Sequence, residues 1–293
     1  MGGNERLRHT AARLRALRHG LTVAGLLFAG YLFVVVAPQA QTGGFDAFAY
    51  WHLDIENPYP QAAGALGAFT YTPVAARLFA PATLVPWPVF LWLWLAVLVA
   101  TLVWLGWRQT LLVLAFPPVA VELYHGNIHL LMAAAIALGF RYPAAWAFIL
   151  LTKVTPGIGL LWFAVRREWR PLGIALGATA ALTAVSLVVD SRLWEMWLNG
   201  AILRVAQEGV GQPTLPIPLA LRLPAAALLV AWGGLTDRRW TVPAAATLAL
   251  PVPWFSGLAI LAALPALDRP ELAPRTPDRD LPSTIATAEP RPA

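Results

Sequence analysis

The chain has 293 residues, of which 58% are apolar and only 12% charged, with a formal net charge of +6 and no cysteine. A soluble domain is about 25% charged, so this chain lacks the side chains to cover a water-facing surface of its size, and without cysteine it is no disulfide-built secreted domain. An ordinary soluble enzyme is excluded; the apolar blocks separated by short Arg, Pro and Gly clusters predict an all-α, polytopic integral membrane protein.

The basic excess follows the membrane rather than a nucleic-acid partner. Arg6, Arg8, Arg13, Arg15 and Arg18 precede the first apolar run, and Arg108, Arg141, Arg166, Arg167, Arg170, Arg238 and Arg239 fall in alternate breaks between later runs. That set holds 12 basic residues, against five in the other breaks (Arg77, Lys153, Arg192, Arg204 and Arg222). The asymmetry predicts a cytoplasmic N-terminus and needs no nucleic acid.

In chain order, residues 1–20 read as a cytoplasmic basic segment and 21–265 as the transmembrane domain. Leu21 to Ala37 reads as an uncleaved anchor, because Pro38 follows and no small-x-small site is present. Outer loops are expected at 38–86 and 190–223. Within the first, Pro73 to Pro86 is too short to span and reads as re-entrant or interfacial. Trp87 to Trp107 is a full span. Four shorter runs follow: Thr110 to Val121, His129 to Phe140, Pro143 to Thr152 and Gly157 to Val165. A run of 10 to 12 residues covers about 15 to 18 Å, half a bilayer core, so their outer tips at Glu122 to Ile128 and Lys153 to Pro156 are expected to floor an outward-facing cavity. Leu172 to Val189, Pro224 to Leu235 with its flanks, and Val242 to Leu264 complete about nine spans. That count would leave the proline-rich tail, 266–293, outside and disordered.

Ionisable groups at membrane depth are candidates for function, since burying them is costly unless they are paired or wet. Lys153 is the single lysine among 21 basic residues, in Thr152-Lys153-Val154-Thr155-Pro156. A compact ammonium there suits a phosphate group at the interface; a lysine snorkelling from a helix end is the plainer reading. Asp46, among Phe45, Phe48 and Tyr50, is either a partly desolvated base or a helix cap or solvated loop acid. Glu122, His125, Asn127 and His129 crowd one turn. They could hydrogen-bond a polyhydroxylated ligand or, with two histidines, hold a metal, but Gly126 interrupts the helical spacing a metal pair requires. No carboxylate cluster calls for a divalent cation, and no cofactor is expected.

The order of short motifs carries more information than any one of them. Asp46 is followed by Asn57-Pro58-Tyr59, by Phe69-Thr70-Tyr71-Thr72-Pro73, and by Leu78-Phe79-Ala80-Pro81. Then come Gly126-Asn127-Ile128-His129, Lys153-Val154-Thr155-Pro156, Arg166-Arg167-Glu168-Trp169-Arg170, and Gly211-Gln212-Pro213-Thr214-Leu215 before Arg222. Over roughly residues 40 to 225 this resembles the polyprenyl-phosphate-mannose-dependent mannosyltransferases of glycosyltransferase family 87, in the GT-C superfamily. The chain departs from the family pattern at Gly126 to His129, at Gly211 to Thr214 and at Tyr71-Thr72-Pro73.

The resemblance implies a GT-C-like fold and an inverting transferase in the plasma membrane with its site on the outer face. It implies a polyprenyl-phosphate-linked sugar donor, a lipid or glycan acceptor, and surrounding membrane lipids as partners. Asp46 stands at the position of the family's base. Lys153 and Arg222 would hold the donor phosphate, and Tyr71, Glu122, His125, Asn127, His129 and Gln212 would contact substrate. A non-enzymatic lipid-linked sugar transporter, or an inactive scaffold of the same fold, is the alternative.

Overall fold

The computed structural model describes residues 3–203 and 216–273, and among these every regular element is helical. Gln212, Arg204 and the tail beyond residue 273 lie outside the described residues. Among the described residues, four helices are long and apolar enough to cross a membrane: His9–Ala40, Trp87–Leu114, Trp169–Val189 and Leu219–Thr236. They turn large apolar side chains outward, Val188 at 88% exposure and Leu228 at 72%, as helices facing hydrocarbon do. The protein is a membrane protein, with four candidate spans among the described residues, or five if the bent pair Pro117–His125 and His129–Gly139 counts as one, where about nine were expected.

Between these helices the chain runs in short pieces, and proline sets where they start. Phe116, extended ahead of Pro117, breaks the run expected from Thr110 to Val121; its first part continues the preceding long helix. Pro117–His125 and His129–Gly139 then form a bent pair with 116° between their axes. At 1.5 Å per residue these nine and eleven residues reach only about half of a 30 Å hydrocarbon core. Pro143–Thr152 and Thr155–Val165 make a second short pair. Together the short helices form the core, where Ile128, Leu130, Met132, Ile136 and Trp146 are almost fully buried.

The first bend depends on Gly126, which ends its helix at φ +70°. A Cβ there would sit 2.8 Å from the Ala47 Cβ, and the Gly126 carbonyl accepts a 2.7 Å hydrogen bond from Trp94 Nε1. Gly126→Ala therefore combines a left-handed backbone penalty of about 1 to 2 kcal/mol with overpacking of about 1 to 3 kcal/mol. Its thermal unfolding midpoint in detergent is expected several degrees below wild type; an equal midpoint would contradict this account of the bend.

The run expected to be one span from Val242 to Leu264 is two legs. Thr241–Leu248 ends near Ala249, and Phe255–Leu267 starts again after the turn Pro251-Val252-Pro253-Trp254. Two prolines one residue apart remove the donors a continuous helix requires. Arg222 holds this turn: Nη1 donates to the carbonyls of Leu248 (2.6 Å) and Leu250 (2.8 Å), and Nη2 to Pro251 (3.2 Å). The second leg returns to the end of the bundle that carries Arg108. There Arg269 donates to the carbonyls of Trp104 and Leu105 and lies over the Trp107 ring. The expected single span is thus corrected to two legs joined at the proline turn; the tail beyond residue 273 lies outside the described residues.

At the other end, 190–203 covers the loop between Trp51 and Pro73. Arg192 pairs with Glu56, Arg77 with Asp190, and Trp197 Nε1 donates to the Thr70 carbonyl. Gly200 admits Tyr59 so closely that a Cβ would lie 2.9 Å from its own.

Candidate active site

A cavity of about 790 Å³ opens where the tips of the short helices meet the first loop. Asp46, Tyr71, His125, Asn127 and Lys153 line it, with Trp197 and Trp254 among its walls. Five residues expected at the site, taken from four separate stretches of sequence, therefore share one space.

Asp46 is the second residue of the helix Phe45–Trp51, so it is neither the cap of that helix nor a free loop acid; Gly44, at φ +77°, is the cap. The Gly44 N–H donates to the Tyr124 carbonyl at 2.8 Å, which fixes this helix against the tip of Pro117–His125. Asp46 is half-buried, and the side chain of Asn127 beside it favours the ionised carboxylate. Asn127 is oriented for that contact. Its Oδ1 accepts from the Ile128 N–H at 2.7 Å and faces the Tyr71 and Tyr50 hydroxyls at 3.4 and 3.5 Å, which leaves the amide N–H groups for Asp46. Burial raises the Asp46 pKa, while Asn127, His125 and Lys153 pull it back towards the ionised form.

Lys153 sits just beyond Thr152, where the second short pair turns, and its Nζ lies 5.8 Å from the centroid of the Tyr71 ring. Burial lowers its pKa to about 8, against the attraction of Asp46 and Glu122. Its Nζ is 2.7 Å from His129 Nε2, and His129 Nδ1 is 2.8 Å from Glu122 Oε2. Glu122 Oε1 also accepts the His129 N–H.

The remaining candidates separate. Glu122 and His129 are 0% and 1% exposed and lie behind the cavity floor rather than on its surface. His125 faces the cavity beside Phe45 and Tyr124, so the two histidines point to different places, as the turn at Gly126 dictates. Arg222 is 4% exposed and absent from the lining; its donors go to the carbonyls at 248–251 and to Ile217. Gln212 lies outside the described residues.

Two contributions were missed in the sequence. Tyr50 orients Asn127 from inside the helix that carries Asp46, and the turn at 251–256 supplies a wall. Pro251 and Pro253, interrupting an apolar run, were the available signal for the second.

A half-buried carboxylate and a half-buried ammonium on one cavity can accept a proton on one group and stabilise an anion on the other. No curated protein and no solved structure matches the chain. The profile of glycosyltransferase family 87 matches residues 69–269, about two thirds of the length; the matched span takes in Tyr71, the Glu122 to His129 turn, Lys153 and Arg222, and begins after Asp46. An apolar bundle of full and half-length helices around a polar-floored cavity accords with that match, and the chain is a membrane glycosyltransferase that belongs to glycosyltransferase family 87.

Proposed function

We propose that the protein transfers a sugar, mannose by its family resemblance, from a polyprenyl-phosphate donor to a hydroxyl of a lipid or glycan acceptor. The reaction inverts the anomeric centre and takes place at the outer face of the plasma membrane, with the N-terminus cytoplasmic. Asp46 accepts the acceptor hydroxyl's proton as that oxygen attacks the anomeric carbon. The bond from the anomeric carbon to the phosphate oxygen breaks, and its electron pair leaves with the polyprenyl phosphate, whose charge Lys153 stabilises. A phosphate leaving group departs as an anion and requires no general acid, so one carboxylate suffices. Arg222, occupied by backbone carbonyls, takes no part in holding the donor here. The observation that carries this reading is that Asp46 and the single lysine line the same cavity.

The test is a transfer assay with purified protein in nanodiscs, radiolabelled polyprenyl-phosphate-mannose and a membrane lipid extract from the source cell. Label is expected in a new glycolipid. Donor that binds and is never cleaved, with other donor sugars also inert, would overturn the transferase in favour of a carrier or scaffold.

The same assay has an expected pH profile. Asp46 must be ionised, so kcat/KM rises as pH climbs through a pKa raised above the ordinary 3.8. Lys153 must be protonated, so kcat/KM falls as pH passes about 8. A bound phosphate favours the ammonium, so the alkaline limb of kcat lies at higher pH than that of kcat/KM. A rate independent of pH up to 10 would remove Lys153 as the required cation.

A further inference from the structure

Glu122 and His129 are ionisable, buried and off the cavity surface, yet they continue directly from Lys153. The polarity of the chain follows from the chemistry of its first member. An ammonium has three donors and no acceptor, so at 2.7 Å from it His129 Nε2 is the acceptor. The ring proton is then on Nδ1 and is donated to Glu122 Oε2 at 2.8 Å. Glu122 is in turn fixed by the His129 and Leu130 N–H groups, both directed at Oε1.

We propose that Glu122 and His129 are positioning residues: the carboxylate sets the His129 tautomer, and the imidazole aims the Lys153 ammonium at the cavity without touching substrate. The inference rests on the reading of Lys153 as the donor-phosphate cation. Placing an imidazole between acid and ammonium has a consequence that a direct ion pair lacks. A carboxylate against Lys153 would neutralise it and compete with a phosphate for its donors. A neutral ring takes one N–H and leaves two for the cavity, while the carboxylate favours the charged lysine from a distance.

Among the described residues the groups around Lys153 are few. Asp46 faces it from Phe45–Trp51, Tyr71 from the loop before Pro73–Phe79, Glu122 and His125 from Pro117–His125, and His129 from His129–Gly139. The turn 249–256, to which Thr155 bonds, has no titratable residue.

Because the chain contains one lysine, [13Cε]lysine labelling gives a single side-chain resonance to titrate, with no substrate required. In Glu122→Gln, an amide N–H facing Nδ1 reverses the tautomer and presents Nε2–H to the ammonium. The Lys153 midpoint is expected to fall by about 1 pH unit or more. His129→Leu, which removes the acceptor, should lower it as well. His129→Gln, whose carbonyl can accept from Lys153 while its amide donates to Glu122, should remain near wild type. Midpoints unchanged in both Glu122→Gln and His129→Leu would overturn the proposal. If Glu122→Gln does not fold, the contrast between His129→Leu and His129→Gln decides, and equal midpoints in that pair overturn it. Adding polyprenyl phosphate separates the two readings: a Lys153 resonance that does not respond counts against the phosphate role and leaves the positioning result standing.

Discussion

Asp46→Asn is expected to reduce sugar transfer by about 10²- to 10⁴-fold, the usual worth of a placed general base, with expression, membrane insertion and donor binding retained. The substitution removes basicity and little else. An asparagine at 46 keeps an oxygen that can accept from Asn127, so the contact between the Phe45–Trp51 helix and the Asn127 turn persists. The helix is also held independently, by the Gly44 N–H on the Tyr124 carbonyl and by Tyr50, stacked on Phe79 with ring centroids 4.5 Å apart. The loss should therefore appear in the chemical step. Wild-type transfer by Asp46→Asn would remove Asp46 as the base, and a loss accompanied by unfolding would mean that the carboxylate is structural.

Lys153→Met is the second large effect. In the proposed reaction the donor is a phosphodiester with one negative charge, and the leaving polyprenyl phosphate gains a second as the sugar bond breaks. An ammonium at its side is therefore worth more in the transition state than in the bound donor, and its loss lowers kcat as well as affinity. A fall in kcat of about 10²- to 10³-fold is expected, the scale found for single groups that stabilise developing oxyanions. Methionine preserves the unbranched stem and limits the packing change. Lys153→Arg should not restore the rate, because a planar guanidinium cannot take the place of a compact ammonium 2.7 Å from His129 Nε2 beside the Tyr71 ring. A rise in KM with kcat unchanged would show that Lys153 binds the donor without helping it leave.

The sequence made the membrane class, the short central helices and the cavity floor legible. These depend on local quantities: apolar run length against bilayer thickness, prolines at helix starts, and rare ionisable residues in apolar surroundings. Lys153 was visible because a chain that otherwise uses arginine has lysine there, and the cavity places it with Asp46. Other features depended on how segments meet. Run length does not reveal that Thr110 to Leu114 continues one helix while Pro117 starts another, or that Val242 to Leu264 doubles back at a proline pair. Arg222 was legible as a cation but not as the brace of that turn, since its acceptors are backbone carbonyls that any residue could offer. Glu122 and His129 were legible as polar and buried. That both lie behind the cavity floor, in a chain ending on Lys153, is decided by their hydrogen-bond partners, and one-dimensional spacing does not carry that.

The central claim is that Asp46 and Lys153 act on opposite ends of one bond, between the sugar carbon and the phosphate oxygen. A structure of the protein with a non-cleavable polyprenyl-phosphonate sugar tests it most directly. The account predicts the phosphonate within hydrogen-bond reach of Lys153 Nζ, and the face of the anomeric carbon opposite the leaving oxygen open towards Asp46. A phosphonate bound away from Lys153, or Asp46 on the leaving-group side of the sugar, would contradict it.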